Sequence, residues 1–338
     1  ADPSSQVFLS WAWLRAFFND APRGWSVLVV RDGDELVAAV PLLVTGVPSA
    51  LLPVARELSF ATAPVADYQG LLCVPDREDE ALRALAAAIR RMGWDRASFA
   101  DVCGPRVARL LALVRGDGDA SETVHAARCL RVALPASWDE YAASIGGGTR
   151  GTTVRSVRRL QNDLPAFRIS TPNDGDVEAH VEAAVRLHHR RWGGNLRRSL
   201  AKYGRLHRAA YDRGILRLIV MWDGDRPIAS AVAYVDDVHR TYNLYQLSYD
   251  AAYGKYSPGK GAIGLAIRDA IERGYTLFDF LRGYEDYKLS YARDVVTTTH
   301  HRLTRQGLRS ALFGAIQPTY RKVKAAAARV VYGPGRSI

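Results

Sequence analysis

The chain has 338 residues and a formal net charge of +11, and 48% of its residues are hydrophobic. Its length and composition allow two domains of ordinary size, each with its own core. Its three cysteines, Cys73, Cys103 and Cys129, have no CxxC spacing, so they predict neither a disulfide framework nor a metal site but the reduced thiols of a cytoplasmic protein.

The charge is divided unevenly along the chain. Counted as Lys and Arg minus Asp and Glu, residues 1–145 carry −4 and residues 146–338 carry +15. A basic second half fits a polyanionic donor such as coenzyme A or tRNA, an acidic acceptor or a membrane surface. The sign of the charge alone does not separate these partners.

Two β-hairpins are predicted from apolar runs around Asp-Gly. The first spans residues 27–40 around Asp32-Gly33, and the second spans residues 218–231 around Asp223-Gly224. A helix, a glycine, an aromatic residue and a strand then follow at 85–102 and again at 266–281. This repeat predicts two similar α/β domains, each with a mixed, mostly antiparallel sheet flanked by helices.

Residues 36–55 carry no charge and are about long enough to span a membrane. Pro41, Pro48 and Pro53 would break a helix there, and the first half of the segment belongs to the predicted hairpin. A secretion signal would begin with a basic region followed by an apolar core, and the N-terminus does not have this pattern. The expectation is therefore a protein without a transmembrane segment.

A basic stretch follows the glycines at 146–148. It contains Arg150, Arg155, Arg158 and Arg159. A solvated helix face is the default explanation of these residues, and an anion-binding helix is the more specific alternative.

A second glycine-bearing segment precedes a helix predicted at 262–273. Backbone N–H groups at a helix N-terminus, with Lys260 beside them, suit a phosphate or pyrophosphate. The candidate donor-binding residues are Tyr256, Ser257, Gly259, Lys260 and Gly261. The corresponding segment of the first copy, 74–80, is acidic and lacks glycine, so the donor is expected only in the second copy.

Ionisable side chains are dense just past the strand predicted at 275–281. Such a set at the carboxyl end of a strand suits catalysis or acceptor binding. The candidate residues are Asp279, Arg282, Glu285, Tyr287 and Lys288. Asp279 alternates with Phe278 and Phe280, and a structural pair with Arg282 fits its position as well as catalysis does.

Several segments together resemble the tandem-GNAT acyltransferases, the FemXAB-like proteins that include the CelD/BcsL-type acetyltransferases of cellulose biosynthesis. The resemblance lies in Tyr256–Lys260, Phe278–Gly283, Glu285, Tyr287 and Lys288, in Leu187–Trp192, and in residues 8–14 and 66–72. It covers the chain up to about residue 294 and is most specific between Arg282 and Lys288.

The resemblance implies acyl transfer from acyl-coenzyme A to an amine by direct attack, without a metal. In this scheme Glu285 or Asp279 takes the amine proton, Lys288 or Arg282 stabilises the oxyanion or orients the donor, and Tyr287 donates a proton. Asp67 and Tyr68, with Arg191 and Trp192, are the acceptor-side candidates.

Three functions remain open at this point. The first is an N-acyltransferase acting on an amino sugar, an amino acid or a related amine. The second is an aminoacyl-tRNA-dependent transferase, the one reading that brings in a nucleic acid. The third is a non-catalytic subunit of envelope-polysaccharide assembly, and the oligomeric state is left open in all three.

The predicted domains are an N-terminal GNAT-like domain at 1–145, on the scaffold or acceptor side, and a C-terminal GNAT-like domain at 146–300 that holds the donor. A basic helical tail follows at 301–338. The tail has eight Lys and Arg and no acid from Arg302 onward, so a peripheral membrane contact and packing on the domains both fit.

Overall fold

The computed structural model describes residues 2, 6–18, 24–48, 53–193 and 195–319, with the side chains of 125, 126 and 192 left out of the description. The chain divides into two compact units. Unit 1 contains Ala1–Ser10, Ala21–Ala127 and Thr297–Ile338, and unit 2 contains Trp11–Asp20 and Arg128–Val296.

Both units contain helices and strands. The helices are α1 (Trp11–Phe18), α2 (Glu78–Arg91), α3 (Arg106–Val114), α4 (Trp138–Ser144), α5 (Gly147–Asp163), α6 (Val177–Trp192), α7 (Leu196–Ser199), α8 (Arg205–Tyr211), α9 (Pro258–Glu272) and α10 (Asp286–Leu289). The strands are β1 (Trp25–Asp32), β2 (Glu35–Pro48), β3 (Pro53–Phe60), β4 (Leu72–Cys73), β5 (Arg96–Val102), β6 (Ala120–Ala133), β7 (Phe167–Ser170), β8 (Leu216–Asp223), β9 (Arg226–Asp236), β10 (Thr241–Tyr249), β11 (Leu277–Arg282) and β12 (Asp294–Thr304). None of the described helices is long and apolar enough to cross a membrane.

In unit 1 the strands follow the order β1–β2–β3–β5–β12. The β3–β5 pair is parallel, whereas β1–β2, β2–β3 and β5–β12 are antiparallel. α2 and α3 bury apolar faces in the core that the sheet forms, for example through Leu82, Leu85 and Leu110. The first predicted hairpin is confirmed, since Asp32 pairs with Glu35 across the turn.

In unit 2 the order is β11–β10–β9–β8–β7, and only the β10–β11 pair is parallel among these described strands. The second predicted hairpin is also confirmed, with Asp223 opposite Arg226. α1 belongs to this unit although it comes first in the chain, because Trp13 packs edge-on against Tyr234 with ring centroids 6.4 Å apart. The α/β fold with a mostly antiparallel sheet and flanking helices is therefore as predicted.

The limits of unit 2 differ from the predicted domain boundary at 145/146. Tyr141 is buried in the core of unit 2, and Trp138 packs against that core. Because α4 lies on this core, the chain belongs to unit 2 from Arg128 onward rather than from the glycines at 146–148. The assignment of each half as a GNAT-like domain with its own role stays a prediction.

The acidic segment of the first copy forms the start of α2, where its carboxylates are paired within unit 1. Glu78 accepts a 2.8 Å ion pair from Arg106 and a second one from Arg109. Arg109 also pairs with Asp79, and Arg77 pairs with Glu80 at 2.8 Å. The N-terminal turn of α2 is thus supplied with negative charge by its own side chains.

The predicted basic tail is helical only in part within the described residues. Residues 301–304 complete β12, residues 308–319 are helical, and 320–338 lie outside the described residues. Arg305 stacks on Trp94 at 3.7 Å from the ring centroid and donates to three backbone carbonyls of unit 1. Phe313 is buried, with the Arg96 guanidinium 4.8 Å from its ring centroid. The described part of the tail therefore packs on unit 1.

Candidate active site

The site is built around two strands of unit 2 that part from each other. Among the described residues, β10 and β11 pair only from Thr241–Leu277 to Asn243–Asp279. Beyond these three pairs β10 continues to Tyr249 and β11 to Arg282. Parallel neighbours that separate in this way leave an opening in the sheet, which begins at Asn243 and Asp279.

Both strands are irregular where they part. The β10–β9 register shifts between Leu244 and Gln246, and the β11–β6 register shifts between Asp279 and Arg282. Leu281 lies in this second bulge with a φ of +55°, a backbone conformation that costs a non-glycine residue roughly 1 kcal/mol or more. β-Bulges turn backbone N–H and C=O groups out of the ladder. The opening is therefore lined by backbone as well as by side chains.

α9 begins at the carboxyl end of β10, after a 3₁₀ turn at Ala251–Tyr256. It starts at Pro258, so the predicted glycine loop is in fact the first turn of the helix. Proline at the first helical position is common, because its missing N–H would have no partner there. Ser257, at φ +54°, makes no side-chain cap. The N–H groups of Lys260 and Gly261 donate to the Ser257 carbonyl, so the N–H of Gly259 is the one left for an anion in this first turn.

The glycines of α9 make close packing possible. A Cβ on Gly261 would lie 2.7 Å from Ser156 Oγ, and a Cβ on Gly264 would lie 2.4 Å from Thr153 Cγ2, both on α5. A Cβ on Gly259 would lie 3.0 Å from the ring of Tyr249. Direct contact of Gly259 and Gly261 with donor phosphates stays a prediction, but their close neighbours already explain why these positions need glycine.

The remaining donor candidates divide between core and surface. Tyr256 is buried in the core of unit 2. Lys260 is half-buried in the first turn of α9, and no ion pair to it is found among the described residues. The Ser257 carbonyl accepts a 3.0 Å hydrogen bond from Ser156 Oγ, which fixes the helix start against α5. Ser257 and Lys260 are thus the predicted residues best placed at the helix terminus.

Lys288 holds the turn that follows β11. Its ammonium donates to the carbonyls of Phe280, Arg282 and Gly283 at 3.0–3.2 Å and pairs with Glu285 at 2.8 Å. Four acceptors saturate an ammonium that has three protons. The predicted oxyanion role of Lys288 therefore competes with a structural one, and the contacts favour the structural role.

Asp279 is fully buried and has a partner that the sequence did not suggest. The Arg131 guanidinium on β6 pairs with it at 2.5 Å, and the Leu281 N–H donates to its other oxygen at 2.7 Å. These contacts fix the bulge in β11. A structural pair was one of the two predicted roles of Asp279, and Arg131 supplies it from the neighbouring strand.

Arg191 and Tyr287 come together on unit 2. Arg191 donates to the Leu247 carbonyl at 3.3 Å, and its guanidinium lies 5.6 Å from the ring centroid of Tyr249. Burial raises the pKa of Tyr287, Glu285 adds to the rise, and the charge of Arg191 partly offsets it. The phenol of Tyr287 therefore stays protonated at neutral pH and is able to donate a proton.

The other acceptor candidates are not joined to this group by the structure. The side chain of Trp192 lies outside the described residues. Asp67 and Tyr68 are buried in unit 1, and Tyr68 has a φ of +49°. Their role in binding an acceptor stays a prediction.

Sequence reasoning missed a buried aromatic cluster beside the site. Tyr203 lies in a π-helical turn at Leu200–Gly204, a local widening that is frequent at functional sites. Its ring stacks on His207, which is fully buried and hydrogen-bonds Tyr234 at 2.8 Å and Gln246 at 3.2 Å. Burial raises the pKa of Tyr203, and the charge of Arg282 offsets only part of this rise. The sequence signal for this cluster is the four-residue spacing of Tyr203 and His207, which places two side chains on the same face of a helix.

β10 also carries two buried polar atoms that have no hydrogen-bond partner among the described residues. These are Asn243 Oδ1, where β10 leaves β11, and Ser248 Oγ near its end. Buried polar atoms in native proteins are almost always satisfied. A polar ligand or water at this strand would complete them.

Protonation of His207 should make the fold sensitive to acid. Burial lowers the pKa of His207 to about 4, whereas the unfolded residue titrates near 6.5. Because the unfolded chain binds the proton first, stability is complete above pH 6.5 and falls towards pH 4. At pH 5 the expected loss is roughly 2 kcal/mol, at about 1.4 kcal/mol for each pKa unit.

Urea unfolding of the wild type and of His207→Gln at pH 7, 6 and 5 measures this effect. The wild type should lose more stability than the variant over this interval, and equal losses would show that His207 is not buried as a neutral base. His188, whose pKa burial also lowers to about 4, remains in both proteins and cancels in the comparison.

Among the described residues, no group of three or more His, Cys, Asp or Glu is placed to hold a metal. The three cysteines are free thiols, as predicted, with Cys73 and Cys129 buried. His300 and His301 bind the hydroxyls of Ser98 and Thr123.

Comparison with known proteins agrees with this geometry. Residues 147–289 match the model of the acetyltransferase (GNAT) domain family. That segment contains α9, β11 and the Arg282–Lys288 block together with the parting strands. No curated protein matches the chain by sequence.

Solved structures share the fold over most of the chain. A crystal structure of FemX has a TM-score of 0.64 at 11% identity and covers 94% of this chain and 96% of its own. The C-terminal domain (DUF2156) of a protein described as a lysylphosphatidylglycerol synthetase from Agrobacterium fabrum has a TM-score of 0.55 at 12% identity, covering 97% and 93%. L-PGS from Bacillus licheniformis has a TM-score of 0.52 at 11% identity, covering 90% and 97%.

At 11–12% identity these likenesses establish the fold and not the substrate. The enzymatic class comes from the matched domain. Residues 147–289 are therefore a GNAT acetyltransferase domain, which makes the chain an acyltransferase, and the fold is like that of FemX over nearly the whole length.

Proposed function

We propose that the enzyme transfers an acyl group from acyl-coenzyme A to an amine of a small molecule such as an amino sugar, an amino acid or a related biosynthetic intermediate. The observation that supports this most is the uncapped N-terminus of α9 next to the opening between β10 and β11. An anion-binding helix start beside an opening in the sheet suits a donor with phosphates at one end and a reactive acyl group at the other.

The residues at the helix start fit such a donor. Ser257 is fixed by Ser156, and Pro258 has no N–H, so the N–H of Gly259 and the ammonium of Lys260 are the groups available to an anion. Residues 128–296 of unit 2 carry a net charge of +7, which favours a polyanion in this unit. Asn243 and Ser248 offer partners for polar atoms further along the opening.

The reaction itself requires two proton movements. The acceptor nitrogen attacks the acyl carbonyl, the C–N bond forms, the C–S bond breaks, and the sulfur leaves with its electron pair. Glu285, whose side chain is 45% exposed, is our candidate for taking the amine proton. Tyr287 is our candidate for protonating the thiolate, because its phenol is held neutral. With the Lys288 ammonium saturated, Arg282 is the candidate cation for the oxyanion.

Reversal of the charge at Lys260 tests the donor site. In Lys260→Glu the ammonium is lost and a carboxylate faces the phosphates, so coenzyme A should bind at least tenfold more weakly, which is about 1.4 kcal/mol or more. Calorimetric titration of coenzyme A into the wild type and the variant, at low and moderate salt, measures the change.

The control is Arg309→Glu, which changes the net charge equally at an exposed position of the helical residues 308–319. It should retain the affinity of the wild type. An unchanged affinity in Lys260→Glu, or an equal loss of affinity in both variants, would show that the donor does not bind at the start of α9.

An aminoacyl-tRNA donor is the second candidate, and the basic second half of the chain is the observation that favours it. Phosphate-backbone contacts weaken steeply with salt. Failure to bind coenzyme A, together with salt-sensitive binding of an aminoacyl-tRNA, would support this donor over acyl-coenzyme A.

A further inference from the structure

A groove of about 340 Å³ lies on unit 2 between α5 and α9. Trp138 of α4 and Ile169 of β7 also contribute to its walls. Its volume is within the range of small-ligand sites. On α9 the lining runs from Gly261 in the first turn to Arg268, seven residues later, so the groove extends roughly 10 Å along the helix axis away from the helix start.

The groove has an apolar floor. α5 and α9 are in close contact where Gly261 meets Ser156 and Gly264 meets Thr153. Val157 and Leu265 follow on the two helices as half-buried side chains, and Val154 is 41% exposed. A ligand that covers these side chains would remove apolar surface from water, at about 25 cal/mol for each Å².

Two arginines lie beside these apolar side chains. Arg158 of α5 and Arg268 of α9 both line the groove and are both exposed. Neither has a carboxylate partner among the described residues, although Arg273 on α9 is paired with Asp269. The guanidinium of Arg268 lies 4.9 Å from the ring centroid of Trp138, which holds it over the groove.

We propose that this groove is a second binding site, centred on Arg158 and Arg268 rather than on Lys260, for an amphipathic organic anion. An alkyl chain of medium length lies on Val157, Leu265 and Ile169, and a carboxylate or phosphate at its end lies between Arg158 and Arg268. Guanidinium groups bind both kinds of anion through paired hydrogen bonds. The basic stretch of α5 would thus bind an anion through Arg158 and remain a solvated face at Arg159.

Titration with simple amphiphiles tests this site. Decanoate and decyl phosphate are added below their micellar concentrations and followed by calorimetry and by tryptophan fluorescence, with Trp138→Phe to identify the signal. We expect saturable binding of at least one anion and none of decyltrimethylammonium. The tighter of the two anions tells whether the natural ligand carries a carboxylate or a phosphate.

Arg158→Gln and Arg268→Gln should each weaken the binding about tenfold or more, whereas the neighbouring Arg159→Gln should leave it unchanged. Lys260→Glu should also leave it unchanged, which separates this site from the proposed donor site. Both arginines are exposed, so thermal unfolding should show that the variants fold as the wild type does.

Three results would overturn the proposal. The first is the absence of saturable binding of both anions. The second is equal binding of the decyl cation, or an equal loss in Arg159→Gln, because either indicates nonspecific adsorption. The third is displacement of the bound anion by coenzyme A, which would make the groove a part of the donor site.

Discussion

Replacing Lys288 by methionine should lower the free energy of unfolding by about 3 to 5 kcal/mol, because three carbonyls lose a charged donor at roughly 1 to 3 kcal/mol each. Methionine keeps most of the apolar stem, so the loss comes from the ammonium. Without it, the carbonyls of Phe280, Arg282 and Gly283 lose a shared donor. Water cannot easily replace this donor, because the Lys288 side chain is only 5% exposed. Urea unfolding at pH 7 measures the loss.

Lys255→Met is the matched control. Lys255 is exposed, its ammonium lies 4.7 Å from the ring centroid of Tyr256, and no ion pair to it is found among the described residues. Its loss should cost less than about 1 kcal/mol. If Lys288→Met instead kept its full stability while acyl transfer disappeared, Lys288 would act in the chemistry and would not be needed to stabilise the turn after β11.

Replacing Asp279 by asparagine should cost about 3 kcal/mol or more, because it leaves the Arg131 guanidinium beside a neutral group in the protein interior. The change also weakens the hydrogen bond that Asp279 accepts from Leu281, whose φ of +55° needs support. Stability and acyl transfer should fall together, since the bulge forms one side of the opening. Urea unfolding and initial rates measure both.

A double-mutant cycle separates the pair from the rest of the site. Asp279→Leu and Arg131→Met should each be strongly destabilising, and the double variant should be less destabilised than their sum by about 2 kcal/mol or more. Additive losses would mean that the two side chains are not coupled. As a control, Arg302 on β12 is half-buried and paired with the exposed Glu122, so Arg302→Met should cost less than about 1 kcal/mol.

The elements around the site were predictable because their signals are local. Asp-Gly between two apolar runs is the strongest short hairpin signal, and both hairpins formed at the predicted positions. The helix before β11 was also evident from its apolar spacing. Its start was placed four residues too late, since the glycines were taken for a loop although Pro258 is a favoured first residue of a helix.

The contacts that fix the site were not predictable, because their partners are distant in sequence. Arg131 and Asp279 are 148 positions apart, and Ser156 reaches the Ser257 carbonyl across 101. In each pair, the sequence around one residue contains no pattern that points to its distant partner. The role of Lys288 was hidden for another reason: its acceptors are backbone carbonyls, which leave no pattern of side chains to read.

The ion pairs at the start of α2 have a bearing on how the two copies diverged. In the first copy, Glu78, Asp79 and Glu80 lie in the first turn of the helix, whereas the first turn of α9 in the second copy has no acidic residue. Because these charges are attached to the chain, they are never diluted, and they oppose the binding of a phosphate at this end of α2. Neutralising Glu78 alone would leave Asp79 and Glu80 in place, and several simultaneous changes would be needed before this end of unit 1 could accept a phosphate.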